Sequence, residues 1–404
     1  MTGTSRMHTA TYANFFRRAC ALLPALLVSA ATMAQDAPRA RARELGVAPG
    51  IFAPGKFNAI TDVAGVKVGQ VTLVEGDGIR TGVTAILPHG GNVYRSRVPA
   101  AVHVGNGFGK FIGTTQVDEL GELETPVLLT CTLCVWKAAD AMAEWLLAQP
   151  DMQSVRSLNV VVGETNDGGL NDIRARPVTA DAVRRALSTA QDGPVREGSV
   201  GAGTGTVAFG WKGGIGTSSR VLPGKLGGWT LGVLVQSNFG GVLQVSGAPV
   251  GRELGRYAFQ QAVATHAGAE RRADDRGDGS IIIVIATDAP LGDRNLRRLA
   301  SRGMMGLGRT GSSASNGSGD YVLAFSTAES VRRPFDASRL ETAELSNEQM
   351  GAVFQAAVEA VEEAIYNSLF MATTVSGNGQ TVEAIPLDRV REVLRRYGIA
   401  PATH

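Results

Sequence analysis

The apolar positions of this chain follow two rhythms. Short β-branched runs at Val83–Leu87, Ala101–Val104, Val127–Leu129, Leu158–Val162, Leu231–Val235, Ile281–Ala286 and Tyr321–Phe325 have the length and composition of buried strands. Between them lie longer stretches with helical spacing: Val135 to Gln149, Thr179 to Gln191, Leu291 to Met305, Asn347 to Leu369 and Leu387 to Tyr397. The first carries Ala139, Met142, Ala143 and Leu146 on one stripe, as a helix lying on a sheet requires. The fourth is apolar at Val353, Ala357, Val361 and Ala364, with Glu359, Glu362 and Glu363 elsewhere. The alternation predicts an α/β protein, and no internal repeat interrupts it.

One junction breaks the pattern. Glu270–Gly279 is charged and has no apolar period, so it reads as an exposed loop; Ser280 follows, and a core strand starts at once. A small nucleophile at the first position of a buried strand suggests a precursor that cuts itself before Ser280. The new terminal residue would carry a hydroxyl beside its own α-amine, an arrangement that activates such nucleophiles. Taken alone, the same pattern also describes a surface linker ending in a Gly-Ser turn pair.

Composition narrows the picture. With 404 residues, 44% of them hydrophobic, the chain can bury a large core, and 51 glycines with 6% aromatics fit a turn-rich α/β protein. Arg17 and Arg18 precede the apolar run Ala19–Ala31, and small residues lead up to Gln35, which describes a secretory signal peptide over residues 1–34. The run is too short to span a membrane comfortably and contains Pro24, so the expectation is a periplasmic or secreted protein with no membrane contact once the leader is gone. Removing Arg6, Arg17 and Arg18 takes the net charge from +2 to −1, and no basic patch with interleaved aromatics suggests nucleic acid as a partner. Cys20 leaves with the leader. Cys131 and Cys134, at the end of an apolar strand, are read as two small buried residues in preference to a redox pair or a local disulfide. No His/Cys cluster offers a metal site, and no cofactor is called for. The loop Gly201-Ala202-Gly203-Thr204-Gly205 lacks the Gly-Lys-Ser/Thr ending of a phosphate-binding loop.

A serine that attacks an amide needs a proton acceptor and donors for the developing negative charge. Of the five histidines, His8 leaves with the leader, His404 is terminal, His266 lies in the linker, His89 sits in a turn, and His103 reads as a core residue. No Ser/His/Asp arrangement stands out, so elimination favours a mechanism without histidine.

Four blocks in order resemble one family over nearly the whole chain after the leader. They are Arg41-Ala42-Arg43-Glu44-Leu45-Gly46 with Asn58–Val66, the glycine-rich centre Gly198–Gly205 with Lys212–Arg220, the segment Ser280–Leu291, and Asn316-Gly317-Ser318-Gly319-Asp320. Together they resemble the self-processing L-aminopeptidase/D-esterase and β-peptidyl aminopeptidase family. The resemblance implies a four-layer αββα sandwich of the N-terminal-nucleophile-hydrolase type, with residues 35–279 and 280–404 as the two products of cleavage between Gly279 and Ser280. It implies Ser280 as nucleophile, Ser318 and Asp320 as its relay, Asn238 as an oxyanion donor, and Glu164 as the acid that holds the substrate's free amine. The implied substrates are short peptides or aminoacyl amides and esters with small L-, D- or β-amino acids. The implied assembly is a homotetramer of cleaved pairs. An acyl transferase of the ornithine acetyltransferase type would use threonine where this chain has Ser280. An inactive periplasmic binding relative would have no need of Ser280, Ser318, Asp320 and Asn238 together.

Overall fold

The computed structural model describes residues 38–263 and 279–399. The leader, His8, Cys20, His266, most of the linker and the C-terminal His404 lie outside them. Two sheets stack face to face. The first is built from β1 (Lys67–Glu75), β2 (Ile79–Leu87), β4 (Val127–Cys131) and β5 (Val161–Thr165), in that spatial order, with Phe111–Ile112 on its edge. The second runs β6 (Gly214–Val221), β7 (Thr230–Asn238), β8 (Ser280–Thr287), β9 (Gly319–Ser326), β3 (Ser96–Gly107), closed by Arg333–Pro334. Helices α1 (Val135–Leu147) and α2 (Ala180–Ser188) cover the first sheet, and α3 (Asp293–Arg309), α4 (Met350–Phe370) and α5 (Leu387–Arg396) the second. This is the αββα sandwich.

The continuous apolar run of β8 follows from that placement. Ile281, Ile283 and Ile285 pack with Leu296, Leu299 and Val353 under the helices, while Ile282, Val284 and Ala286 pack against Ile86, Val127 and Leu129 of the facing sheet. A strand buried on both faces loses the period-two alternation that a half-exposed strand shows.

Helix α4 departs from the usual pattern of a one-sided amphipathic helix. Its polar positions do not face water: Glu359 and Glu363 are fully buried and Glu362 nearly so. Each is matched. Arg220, itself fully buried on β6, reaches Glu359 at 3.2 Å and Glu363 at 2.8 Å; Arg43 adds a bond to Glu363 at 2.9 Å, and the backbone N–H groups of Ile51 and Phe52 donate to Glu359. Glu362 accepts from the Tyr366 hydroxyl at 2.9 Å and from Arg309 at 3.2 Å. Burial, reinforced by the Glu362 charge, holds the Tyr366 phenol well above its ordinary pKa. These acids tie the N-terminal segment to α4 and β6.

A second departure concerns Cys131 and Cys134, which form a disulfide rather than two separate small residues. The cause is local. Cys131 ends β4, and the single 3₁₀ turn Thr132–Cys134 brings the two Cα atoms to 5.2 Å, within bridging range.

Arg220 generates the first prediction. Replacing it with methionine leaves two buried carboxylates short of their counter-ion, which costs about 3–5 kcal/mol in comparable cases. A urea titration should show Arg220→Met unfolding at much lower denaturant, with the far-ultraviolet spectrum unchanged in water; an unmoved midpoint would contradict this account of α4.

Candidate active site

The site is assembled by strand register. The antiparallel pairing of β7 with β8 sets Asn238 opposite Ser280, and the parallel pairing of β8 with β9 sets Ser280 beside Gly319. Three strand ends therefore meet in one row at the edge of the second sheet. Ser280 is buried, 5% exposed, and its Oγ accepts a hydrogen bond from the Gly319 N–H at 3.2 Å. The same N–H donates to the carbonyl oxygen of Gly279 at 3.0 Å. Gly279 has φ +150°, and a Cβ there would fall 2.2 Å from the carbonyl oxygen of Asn238, so the residue before Ser280 has room only as glycine.

Ser318 and Asp320 share a face, as alternation in an extended segment requires. The Ser318 hydroxyl donates to Asp320 Oδ1 at 2.6 Å, a short bond of the charge-assisted kind. Both side chains are buried, and Asp320 Oδ2 has no partner among the described residues. Burial pushes the Asp320 carboxyl up to about 6, with the Ser318 bond pulling the other way. The turn before it is held by a residue that sequence reasoning missed: Asn106 Nδ2, on β3, donates to the carbonyls of Ser315, Asn316 and Ser318. Asn106 lies at an irregularity in the pairing of β3 with β9, between Asp320 and Tyr321. A strand ending in Asn106-Gly107-Phe108-Gly109 carries a turn signal, but nothing local says which carbonyls it will bind.

Asn238 uses both ends of its amide. Oδ1 accepts from the Val207 N–H at 2.9 Å and Nδ2 donates to the Asn166 carbonyl at 3.1 Å, which fixes the side chain while leaving the amide a second N–H. Glu164 lies on β5 of the facing sheet and is 2% exposed. Its Oε1 accepts from the Lys110 N–H at 2.9 Å and pairs with Lys110 Nζ at 3.1 Å. Gly109 links it to the row of strand ends: a Cβ at that position would sit 3.3 Å from both Glu164 Oε1 and Gly319 Cα, and 3.1 Å from the Tyr321 ring. The empty side-chain volume of Gly109 is thus shared between the carboxylate and the serine segment. The charges of Glu164 and Asp320 add to burial in raising the Tyr321 phenol.

The glycine-rich centre supports this site from behind. Lys212 is fully buried and donates to the carbonyls of Gly203 and Gly213, which is a backbone clamp rather than a phosphate cradle. Burial drops its ammonium to about 7 and raises the nearby Asp167 carboxyl to about 7. The two described histidines stand apart from this site: His89 is bonded to the Ser96 carbonyl and the Gly91 N–H. His103 is not the core residue expected; it is half-buried on β3, lining a shallow cavity of about 320 Å³ with Thr114, Asp118 and Arg297.

What this arrangement can do is hydrolyse an acyl bond: a serine hydroxyl, a serine–carboxylate pair on the neighbouring strand, a backbone N–H on the carbonyl before the serine, an asparagine amide with an N–H to spare, and a buried carboxylate on the facing sheet. It defines a hydrolase of the aminopeptidase class. The chain belongs to peptidase family S58, whose pattern matches residues 58–382. It is 42% identical over 390 residues to the β-peptidyl aminopeptidase BapA of Sphingosinicella microcystinivorans, covering 93% of this chain and 96% of that one. Among solved structures, a Burkholderia sp. β-aminopeptidase is 42% identical with TM-score 0.79, and the L-aminopeptidase D-Ala-esterase/amidase of Ochrobactrum anthropi, a serine aminopeptidase with a variant of the Ntn-hydrolase fold, is 40% identical with TM-score 0.79. Each of these two alignments covers 89% of this chain and 99% of the other.

The Asp320 carboxyl sets the expected pH dependence. Above about 6 it is ionised and can accept the Ser318 proton; below that it is protonated and cannot. The profile of kcat/KM should therefore rise with pH through a midpoint near that value. A flat profile from pH 4 to 8 would remove Asp320 from the proton path.

Proposed function

We propose that this S58 aminopeptidase is exported, cuts itself between Gly279 and Ser280, and then releases small N-terminal residues from short peptides, amides and esters. The observation that carries the reading is the Gly319 N–H, which reaches both the Gly279 carbonyl oxygen and the Ser280 hydroxyl oxygen. One donor thus touches the carbonyl to be attacked and the atom that attacks it. In this reading Ser280 Oγ adds to the Gly279 carbonyl carbon, the amide C–N bond breaks, and water hydrolyses the resulting ester. That frees the Ser280 α-amine and leaves residues 35–279 and 280–404 as two pieces.

The two pieces stay together because β8 is the central partner of both β7 and β9. The freed hydroxyl then serves in turnover, with Ser318 and Asp320 relaying its proton and Asn238 supplying an N–H to the oxyanion. Before cleavage the Ser280 nitrogen is an amide and cannot act as base, so maturation calls for another base, the relay, which we favour over the freed α-amine in turnover as well. Glu164 receives the substrate's ammonium, which restricts the enzyme to free N-termini. L-, D- and β-aminoacyl groups are all candidates, in keeping with the similarity to both kinds of aminopeptidase. The signal-peptide pattern and the Cys131–Cys134 disulfide support an oxidising compartment, periplasmic or extracellular. A homotetramer of cleaved pairs is the proposed assembly.

N-terminal sequencing of the smaller fragment should begin Ser-Ile-Ile-Ile-Val, and Ser280→Ala should stay whole and inactive. Full activity in an uncut chain would refute self-processing. Ser318→Ala and Asp320→Ala should slow both maturation and turnover by about 10²–10⁴-fold, the usual worth of general acid–base help. Normal maturation in both variants would instead point to a different base.

Glu164→Gln should weaken hydrolysis of alanine p-nitroanilide while leaving self-cleavage intact, since cleavage involves no free amine. Equal turnover of free and acetyl-blocked substrates by the wild type would remove Glu164 from amine recognition.

A further inference from the structure

The carboxylate read as the amine acceptor already holds an amine. Lys110 Nζ lies 3.1 Å from Glu164 Oε1, and the two partners differ sharply in exposure: the lysine side chain is 35% exposed, the glutamate 2%. Glu164 Oε1 keeps a second donor, the Lys110 backbone N–H at 2.9 Å, which belongs to the chain and cannot leave. Glu164 Oε2 is buried and has no partner among the described residues. The carboxylate is thus anchored by backbone, covered by a movable cation, and short of one donor.

We propose that Lys110 is a displaceable counter-ion for the amine subsite, an internal cation that occupies Glu164 until a substrate's ammonium replaces it. The inference rests on the reading of Glu164 as the residue that receives the substrate amine. A carboxylate buried to this degree is costly without a cation, and the free enzyme has no substrate to provide one. Lys110 supplies the charge on a flexible four-carbon stem whose ammonium gains water when it withdraws. The exchange keeps one cation on Glu164 in both states. Gly109 keeps a side chain out of the gap between Glu164 and the serine segment, since a Cβ there would sit 3.3 Å from both Glu164 Oε1 and Gly319 Cα. Displacement has a cost, so Lys110 weakens substrate binding and thereby raises KM. A lysine that merely orients Glu164 would do the opposite.

Steady-state kinetics on alanine p-nitroanilide should separate the two roles. Lys110→Met and Lys110→Gln remove the competing cation, and KM should fall about two- to fivefold, the span of a partly exposed ion pair, with the change on KM rather than kcat. Lys110→Arg keeps a cation and should restore the wild-type KM. The Met variant should also melt at a lower temperature than wild type when free, and alaninamide should raise its melting temperature by more. An unchanged or raised KM in both neutral variants would overturn the proposal. Crystals of the cleaved wild-type enzyme soaked with alaninamide test it without any variant: Lys110 Nζ should leave Glu164 Oε1, and a pair persisting near 3 Å beside bound alaninamide would overturn it. If wild-type enzyme fails to distinguish free from acetyl-blocked substrate, the Glu164 reading itself falls. Discrimination that persists with an unmoved KM would overturn the counter-ion role alone.

Discussion

Everything at this site hangs on one row of backbone pairing, Asn238 to Ser280 to Gly319, at the end of three neighbouring strands. A one-residue slip of β8 against β9 would turn Ser280 away from the Gly319 N–H and shift Ser318 and Asp320 along the sheet, and a slip against β7 would carry Asn238 out of line with Ser280. What prevents the slip is the isoleucine run of β8, buried on both faces, because each side chain already has its place in one of two cores. Packing free energy spent on the sandwich is therefore what places the serine to within bonding distance.

The buried carboxylates divide into two kinds. Glu359 and Glu363 on α4 are surrounded by arginines and backbone donors, and nothing remains to be bonded. Glu164, Asp320 and Asp167 are equally buried, yet each keeps an oxygen without a partner among the described residues. An unmet buried acceptor works against stability and persists where a substrate or a moving proton will meet it. The contrast separates acids whose bonding is complete within the fold from acids that keep one acceptor unmet. Asp320 shows the consequence in its raised pKa, which brings a carboxyl into the range where it can exchange protons near neutrality.

Much of the architecture was legible along the chain. The helices expected from Val135, Thr179, Leu291, Asn347 and Leu387 all form, with ends displaced by a few residues, and the expected strands form, most of them longer, with the one expected at Leu158–Val162 shifted to Val161–Thr165. Ser280 was readable as a candidate from the junction of a charged linker with a core strand, whereas Ser318 and Asp320 were singled out only by the family resemblance of the segment Asn316–Asp320. Asn106 and Lys110 were not legible. Both act across the sheet or between sheets, at sequence separations that no window spans. The partners of the α4 glutamates were not legible either, because a period of 3.6 reports polarity alone, whereas Arg220 sits on a strand far away in sequence. The disulfide was misjudged for a smaller reason: closing it depended on a single 3₁₀ turn after β4.

By itself, the sequence determined the order of strands and helices, a serine at the head of a core strand, and a second serine spaced to share a face with the acid two residues beyond it. These depend on local periodicity and adjacency, which survive in one dimension. Only the tertiary structure decided that Asn238 and Gly319 flank Ser280, that Asn106 clamps the turn before Asp320, and that Lys110 covers Glu164. Those relations arise from strand pairing and sheet stacking, in which residues far apart in the chain become neighbours because their hydrophobic faces must be buried together.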